Sequence, residues 1–253
     1  MEFHILTVFP EMCASPLQAS VLQRAQMRGL LRIYLHNIRD FTCDRHRVTD
    51  DYAYGGGPGM IMKPGPIVSG IQAVQERFGR AYVILLSPQG TLLTQRLVKS
   101  LAQQERLLLI CGRYGGVDAR VQAYVDAEVS IGDYVLTGGE LPALVVLDAV
   151  GRLLPDVLGD EHSVAEDSLF HGLLQGPVYT RPAEFAGMRV PAILRSGNHA
   201  AIAVWRRRQA LLTTLRRRPE LLQQAPLTPQ DLATLQALLT QEAPQEQATE
   251  HTG

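Results

Sequence analysis

The segment AYVILLSPQGTLLTQRLVKSLAQQERLLLICGRYGGVDARVQAYVDAEVSI, Ala81–Ile131, decides the fold. It opens on an apolar run, Ala81 to Leu86, that breaks at Ser87-Pro88-Gln89-Gly90. A helical pattern follows from about Thr94 to Gln104, then a second apolar run, Leu107 to Cys111, closed by a glycine-rich turn. A further helical stretch, Asp118 to Tyr124, leads into a third run, Glu128 to Ile131. Short apolar runs separated by helices read as buried strands joined by crossovers, which is how parallel strands connect. The segment therefore predicts an α/β fold, a mostly parallel sheet flanked by helices.

Working outward, Phe3 to Val8 reads as another buried strand, and Leu31, Ile33 and Leu35 alternate as one more. Between them Ser15-Pro16 offers a cap and a first-turn proline for a helix that Gly29 would stop. Ile67, Ile71, Val74 and Phe78 recur at helical spacing. Downstream, Glu140 to Leu154 is apolar on nearly every side, so it needs burial all round, in a core or a subunit interface. Pro155 to Pro182 lacks a period and reads as a linker. Beyond it Asn198 can cap a helix carrying Ala201, Trp205, Leu212 and Leu215, and Thr228 to Asp231 resembles a capping box. The expected division is an α/β domain over 1–160, a linker over 161–180, a small all-helical domain over 181–242 and a disordered polar tail over 243–253.

Apolar residues make up 46% and charged residues 19% of the 253, the balance of a folded chain rather than a disordered one. Net charge is -1, so any nucleic-acid contact must come from local basic clusters. Cys13, Cys43 and Cys111 show no paired spacing, which argues against a disulfide framework or a zinc site and fits a cytoplasmic protein. No signal peptide is visible, and Leu141 to Leu154 is too short, and too charged at Asp148 and Arg152, to span a membrane.

Walker A, G-x-G-x-x-G, H-E-x-x-H and G-x-S-x-G motifs are absent, which removes the common nucleotide, zincin and hydrolase chemistries. What remains are three loops at the carboxyl ends of expected strands: SPQG (Ser87–Gly90), CGRYGG (Cys111–Gly116) and SIGDYVLTGGELPA (Ser130–Ala143). Glycine turns alone can mean only tight corners. Three of them at consecutive strand ends point to one shared pocket, where open α/β sheets hold ligands. The long segment RDFTCDRHRVTDDYAYGGGPGM (Arg39–Met60) mixes cations, tyrosines and a glycine turn, and reads either as a lid or as a place for phosphate contact and base stacking. Arg206 to Arg208 and Arg216 to Arg218 are either solvated faces or local phosphate-binding surfaces.

These segments, with VLGDEHSVAEDSL, GPVYTRPAEFAGMRVPAILRSGNHAAIAVWR and RRRPELL, closely resemble the TrmD family of bacterial tRNA (guanine-N1)-methyltransferases, of the SPOUT class, in order and spacing from the first strand to about Leu222. The resemblance implies a deep trefoil knot at the C-terminal end of the α/β domain and a bent S-adenosylmethionine held by the knot loops. Cofactor contacts then fall to Leu86, Ser87, Pro88, Gly90, Gly112, Tyr114, Ile131, Gly132, Asp133, Tyr134, Val135, Leu136, Gly138, Gly139 and Pro142. It further implies that Asp167 is the general base and Arg152 its arginine partner. The RNA-side residues are Arg45, Asp50, Ser168, Asn198, Arg206, Arg207 and Arg208. The partners implied are a tRNA with guanosine at position 37 and a second copy of the chain, with no membrane. Gly115 stands where the family has a glutamate near a supporting magnesium ion, which puts Mg2+ in question here. Two other readings remain: a SPOUT methyltransferase acting on another RNA nucleotide, which would need neither Asp167 nor Arg152, and a non-catalytic RNA-binding factor, which would not bind the cofactor.

Overall fold

The computed structural model describes residues 1–158 and 167–242; the expected tail, 243–253, the last two residues of the expected α/β domain and the first six of the expected linker, 161–166, lie outside them. Contacts divide the chain into two units, Met1–Glu161 and His162–Gly253.

The first unit is built on a five-stranded sheet. Its strands are β1 (Glu2–Thr7), β2 (Arg32–Asn37), β5 (Tyr82–Leu92), β6 (Arg106–Cys111) and β7 (Ala127–Ser130), in the order β2-β1-β6-β5-β7. Every pairing is parallel. Side chains alternate strictly, because successive residues of a strand face opposite sides. Phe3, Ile5, Ile84, Leu86, Leu107 and Leu109 enter one core with α1 (Glu11–Leu17), α2 (Ser20–Met27), α4 (Gln95–Leu101) and α5 (Glu140–Gly151). Leu6, Val83, Leu85, Leu108 and Ile110 enter the other, under α3 (Pro64–Phe78), whose Ile67, Ile71 and Val74 are buried. Both faces are covered, as a parallel sheet requires.

Three local expectations change. Pro16 does not begin a helix; it sits inside α1, and a second helix starts at Ser20. Cys13 and Leu17 are the buried residues that hold α1 down, so the proline falls in its last turn and the chain breaks just beyond. Asp118 caps a 3-10 turn, Ala119–Tyr124, instead of an α-helix. The Arg39–Met60 segment is not irregular throughout. It runs into a hairpin of β3 (Asp50–Tyr52) and β4 (Met60–Met62), turned by Gly55, Gly56, Gly57 and Gly59, all at positive φ. The core takes one side of α5, through Ala143, Val146, Leu147 and Val150, and Leu141 and Val145 are 51% and 44% exposed within the single chain.

The second unit packs α6 (His199–Arg217) against α7 (Pro229–Glu242) around Leu173, Leu211 and Leu235. Before these helices the described chain of this unit is largely irregular, with a short hairpin of β8 (Glu184–Phe185) and β9 (Met188–Arg189) and a 3-10 turn, Ala192–Arg195. Leu173, placed in the linker by its lack of periodicity, is a core residue here, and the Leu174 amide donates to Thr214 Oγ1 (2.9 Å). Asn198 caps α6 by accepting from the Ala201 amide (3.1 Å). Thr228 and Asp231 form a reciprocal box at α7: the Asp231 amide donates to Thr228 Oγ1 (3.2 Å) and the Thr228 amide to Asp231 Oδ2 (2.8 Å).

A buried histidine adds a pH dependence to folding. His4 on β1 is fully buried, stacked on Tyr34 (4.8 Å) and against Phe78 (4.6 Å), with Nδ1 2.9 Å from His36 Nε2. Its Nε2 has no hydrogen-bond partner among the described residues. Burial, then the neighbouring His36, pushes the imidazole down from 6.5 to about 4, against the opposing pull of Glu2. The unfolded chain binds this proton below pH 6.5, whereas the folded chain refuses it until about pH 4. Stability is thus complete above 6.5 and falls by about 3 kcal/mol as the pH drops to 4. We expect urea unfolding to show this slope and His4→Phe to reduce it, the remainder falling to His36, whose imidazole burial also pushes down; equal slopes in both proteins would assign the effect to other groups.

Candidate active site

The glycine loops meet because of sheet order. Strand β6 lies between β1 and β5, and β7 lies outside β5, so the carboxyl ends of β5, β6 and β7 are neighbours. Ser87–Gly90 does not follow a finished strand. Leu86 and Thr91 both register with Val129, so the four intervening residues bulge out of β5. Gly90 lies against β7, where an added Cβ would stand 2.4 Å from the Glu128 carbonyl carbon and the Val129 nitrogen. Only a residue without a side chain fits that crossing.

After β7 the chain returns to the end of β6. The Gly139 amide donates to the Gly112 carbonyl (2.9 Å), and Arg113 and Gly138 form an antiparallel bridge. The Gly112–Gly116 loop is also stitched to β4. The Gly115 amide donates to the Met60 carbonyl (2.8 Å), and the Met62 amide to the Gly116 carbonyl (2.9 Å). A Cβ at Gly115 would lie 3.1 Å from that Met60 oxygen and from Ile61 Cδ1.

These loops enclose a cavity of about 270 Å³. Leu86, Ser87, Pro88, Gly112, Tyr114, Ile131, Gly132, Tyr134, Val135, Leu136, Gly138, Gly139 and Pro142 line it. Gly90 and Asp133 do not: Gly90 is committed to the strand crossing and Asp133 is exposed. Arg113, Gln89 and Thr137 also line the cavity, and their residue types carry no signal for such a role in the sequence. The walls are mainly apolar side chains and loop backbone, with Tyr114 at φ +59°. Beneath the loops, Cys111 is fully buried and its thiol is pushed well up by burial, so it stays neutral. This combination suits a flat heterocycle held between apolar residues and read by peptide groups.

Arg152 is the C-cap residue of α5, in the first unit, and is half-buried. Asp167 is half-buried in the second unit, where it lines a separate cavity of about 810 Å³ with His171, Tyr179, His199, Trp205 and Arg206. Next to it, Ser168 Oγ accepts from the Gln175 amide (2.9 Å).

On the expected RNA side, Tyr52 and Tyr54 of the β3–β4 hairpin are 80% and 101% exposed. Arg45 is exposed, in a turn ordered by Asp44, which accepts from the His46 amide (3.0 Å). Asp50 is half-buried at the start of β3. In the arginine triplet the three residues differ. Arg206 and Arg208 are exposed, whereas Arg207 makes a two-point contact with the buried Asp231 (2.9 and 2.8 Å). That guanidinium holds the Asp231 carboxyl well below its usual range and ties α6 to the capping box of α7. Arg207 therefore ties the helix pair together, a role that its two arginine neighbours do not share in this pairing.

A family model described as tRNA (guanine-1)-methyltransferase TrmD matches residues 1–224. The chain is 50% identical over 238 residues to the tRNA (guanine-N(1)-)-methyltransferase of Dictyoglomus turgidum, covering 94% of this chain and 96% of that one. Against the protein of the same name from Pelotomaculum thermopropionicum it is 52% identical over 242 residues, covering 94% and 96%. The crystal structure of tRNA (m1G37) methyltransferase from Aquifex aeolicus superimposes with a TM-score of 0.72 at 39% identity, over 92% of this chain and 97% of that one.

Proposed function

The chain belongs to the TrmD family of tRNA (guanine-N1)-methyltransferases, and from that membership we propose that it methylates N1 of guanosine 37, on the 3′ side of the anticodon, in tRNA. The observation that carries the reading is the single cavity formed by three glycine loops at adjacent strand ends, in a chain that matches the family from residue 1 to residue 224.

S-adenosylmethionine, when bound, supplies an activated methyl group on a sulfonium. The residues present fit it. Leu86, Ile131, Leu136 and Pro142 supply apolar contact, and the Gly112–Tyr114 and Gly132–Leu136 backbone supplies polar groups without side-chain obstruction. We read the return of the chain from β7 to β6 as the threading of the family's trefoil knot. The support is the backbone bridge of Arg113 to Gly138 and the contact of Gly139 with Gly112. Asp167 accepts the proton that guanine N1 carries, which makes that nitrogen nucleophilic. Arg152 balances the charge that deprotonation spreads onto O6. Magnesium does not fit in the same way: Gly115 offers no carboxylate, and no three metal-binding side chains converge among the described residues. Nucleoside mass spectrometry of tRNA after incubation with protein and S-adenosylmethionine tests the reaction. The expected product is 1-methylguanosine; a 2′-O-methyl product, or none, overturns the reading.

The same reading gives α5 an occupant for its open face. Leu141 and Val145, apolar and exposed in one chain, are covered by a second copy in a two-fold dimer, with Asp167 serving its partner's cofactor pocket. Asp167→Asn and Gly112→Trp homodimers should each be inert. Co-refolded, half the dimers are mixed and one of their two sites is intact, so roughly a quarter of parent activity should return. Mixed dimers without activity would show that each site is built within one chain. On the RNA side, replacing Arg206 and Arg208 by glutamine should weaken tRNA binding and reduce its salt slope by about 1 to 2, leaving cofactor affinity as it was. An unchanged slope would return both to the solvated surface. A tRNA substrate places this work in the cytoplasm, and no helix among the described residues is long and apolar enough to cross a membrane.

A further inference from the structure

We infer that the TVFPEM segment, Thr7–Met12, is a positioning element for the cofactor pocket, acting through a buried Arg113–Glu140 ion pair. The inference rests on the reading of that pocket as the S-adenosylmethionine site.

Glu140 opens α5 immediately after the pocket residue Gly139, and its side chain is 1% exposed. Arg113 stands between the pocket residues Gly112 and Tyr114, and its Nε donates to both Glu140 oxygens at 3.3 and 3.2 Å. The pair thus joins two of the three loops from below. Three side chains of the segment that runs from the last residue of β1 into α1 hold the pair. Thr7 Oγ1 donates to Glu140 Oε1 at 2.6 Å and itself accepts from the Phe9 amide at 2.9 Å. The Phe9 ring lies under the guanidinium, 4.5 Å from Cζ to the ring centre. Met12 Sδ accepts from the outer guanidinium nitrogen at 2.7 Å.

A buried ion pair adds little net stability over apolar packing, because desolvation offsets most of the attraction. It does impose geometry, since a carboxylate with a fixed fork and a hydroxyl tolerates few arrangements. What this one fixes is the spacing between Gly112–Tyr114 and Gly138–Gly139, the backbone that the cofactor must touch on two sides. Thr7 does not line the cavity. Its effect passes through Glu140.

The test is equilibrium dialysis of S-adenosylmethionine with the full-length protein, well below its unfolding midpoint. Thr7→Val keeps the shape and removes the donor, and should weaken cofactor binding by roughly 10-fold to 100-fold, the scale of one hydrogen bond to a buried charge. Thr7→Ser should restore binding. In turnover, Thr7→Val should raise KM for S-adenosylmethionine while kcat stays within about three-fold and tRNA affinity is unchanged. Hydrogen exchange without ligand should speed up at the Gly115 and Gly116 amides. A merely structural Thr7 predicts a lower melting temperature with unaltered cofactor affinity, and that result overturns the inference. Should Thr7→Val fail to fold, Phe9→Leu, which removes the ring beneath Arg113, decides the matter by the same affinity measurement. A parent protein that binds no S-adenosylmethionine fails at the control, and it overturns the reading of the pocket before any variant is compared.

Discussion

Replacing Asp167 by asparagine is expected to slow methyl transfer by on the order of 10²–10⁴ in a single turnover, with fold and cofactor affinity unchanged. Guanine N1 holds a proton and has no free lone pair in the plane of attack. Without a group to take that proton the methyl has nowhere to go, however well it is placed. Asparagine keeps the size and can still hydrogen-bond, but its amide oxygen is far too weak a base to accept the proton. Asp167 lines a cavity whose other walls carry Trp205, Tyr179 and His171, surfaces on which a base can lie flat. Arg152→Ala should cost a similar factor, and Arg152→Lys should recover little, because an ammonium offers one point of charge where a guanidinium offers a planar fork. Rapid-quench measurement with saturating cofactor separates these effects from binding. An Asp167→Asn rate within a few-fold of the parent would remove the residue from the chemistry.

Gly139→Ala is expected to abolish measurable cofactor binding, a loss of at least about 100-fold, and to destabilise the chain by about 1–3 kcal/mol. Gly139 has φ -80°, so alanine meets no backbone strain of its own. The obstacle is the neighbouring loop: the new Cβ would stand 2.6 Å from the Cys111 Cα and 3.0 Å from the Gly112 nitrogen. Carbon atoms pack at about 3.5–4.0 Å, so the two loops must part by roughly 1 Å. Neither neighbour is a side chain that can rotate away. The displacement breaks the Gly139-to-Gly112 hydrogen bond and shifts the peptide groups on both sides of the cavity. Gly65→Ala is the control, because nothing lies within 4 Å of its added Cβ and it sits in the first turn of α3. Calorimetry with S-adenosylmethionine compares the two. Affinity in Gly139→Ala within three-fold of the control would mean that the close approach of these loops is not what shapes the pocket.

The sequence by itself determined whatever is written within a few residues. The apolar run from Phe3 to Val8, the recurrence of Ile67, Ile71 and Val74, the Asn198 cap and the Thr228–Asp231 box are all readable in a window shorter than two helical turns. Their causes are local, namely side-chain period and the unpaired amides of a helix end. Glycine-rich strand ends were legible for the same reason. Tertiary structure decided what those pieces meet. The Thr7 hydroxyl finds Glu140 133 positions away, and Arg113 finds it 27 positions away, because β6 inserts between β1 and β5. Arg207 leaves its two arginine neighbours to pair with Asp231, 24 positions on, because only its face of α6 turns to α7. Gly90 looked like a turn residue and is a crossing point, a role set by Glu128 and Val129 on another strand. A period can be read along the chain, but a partner is chosen by strand order and helix facing, and no local stretch of residues contains those.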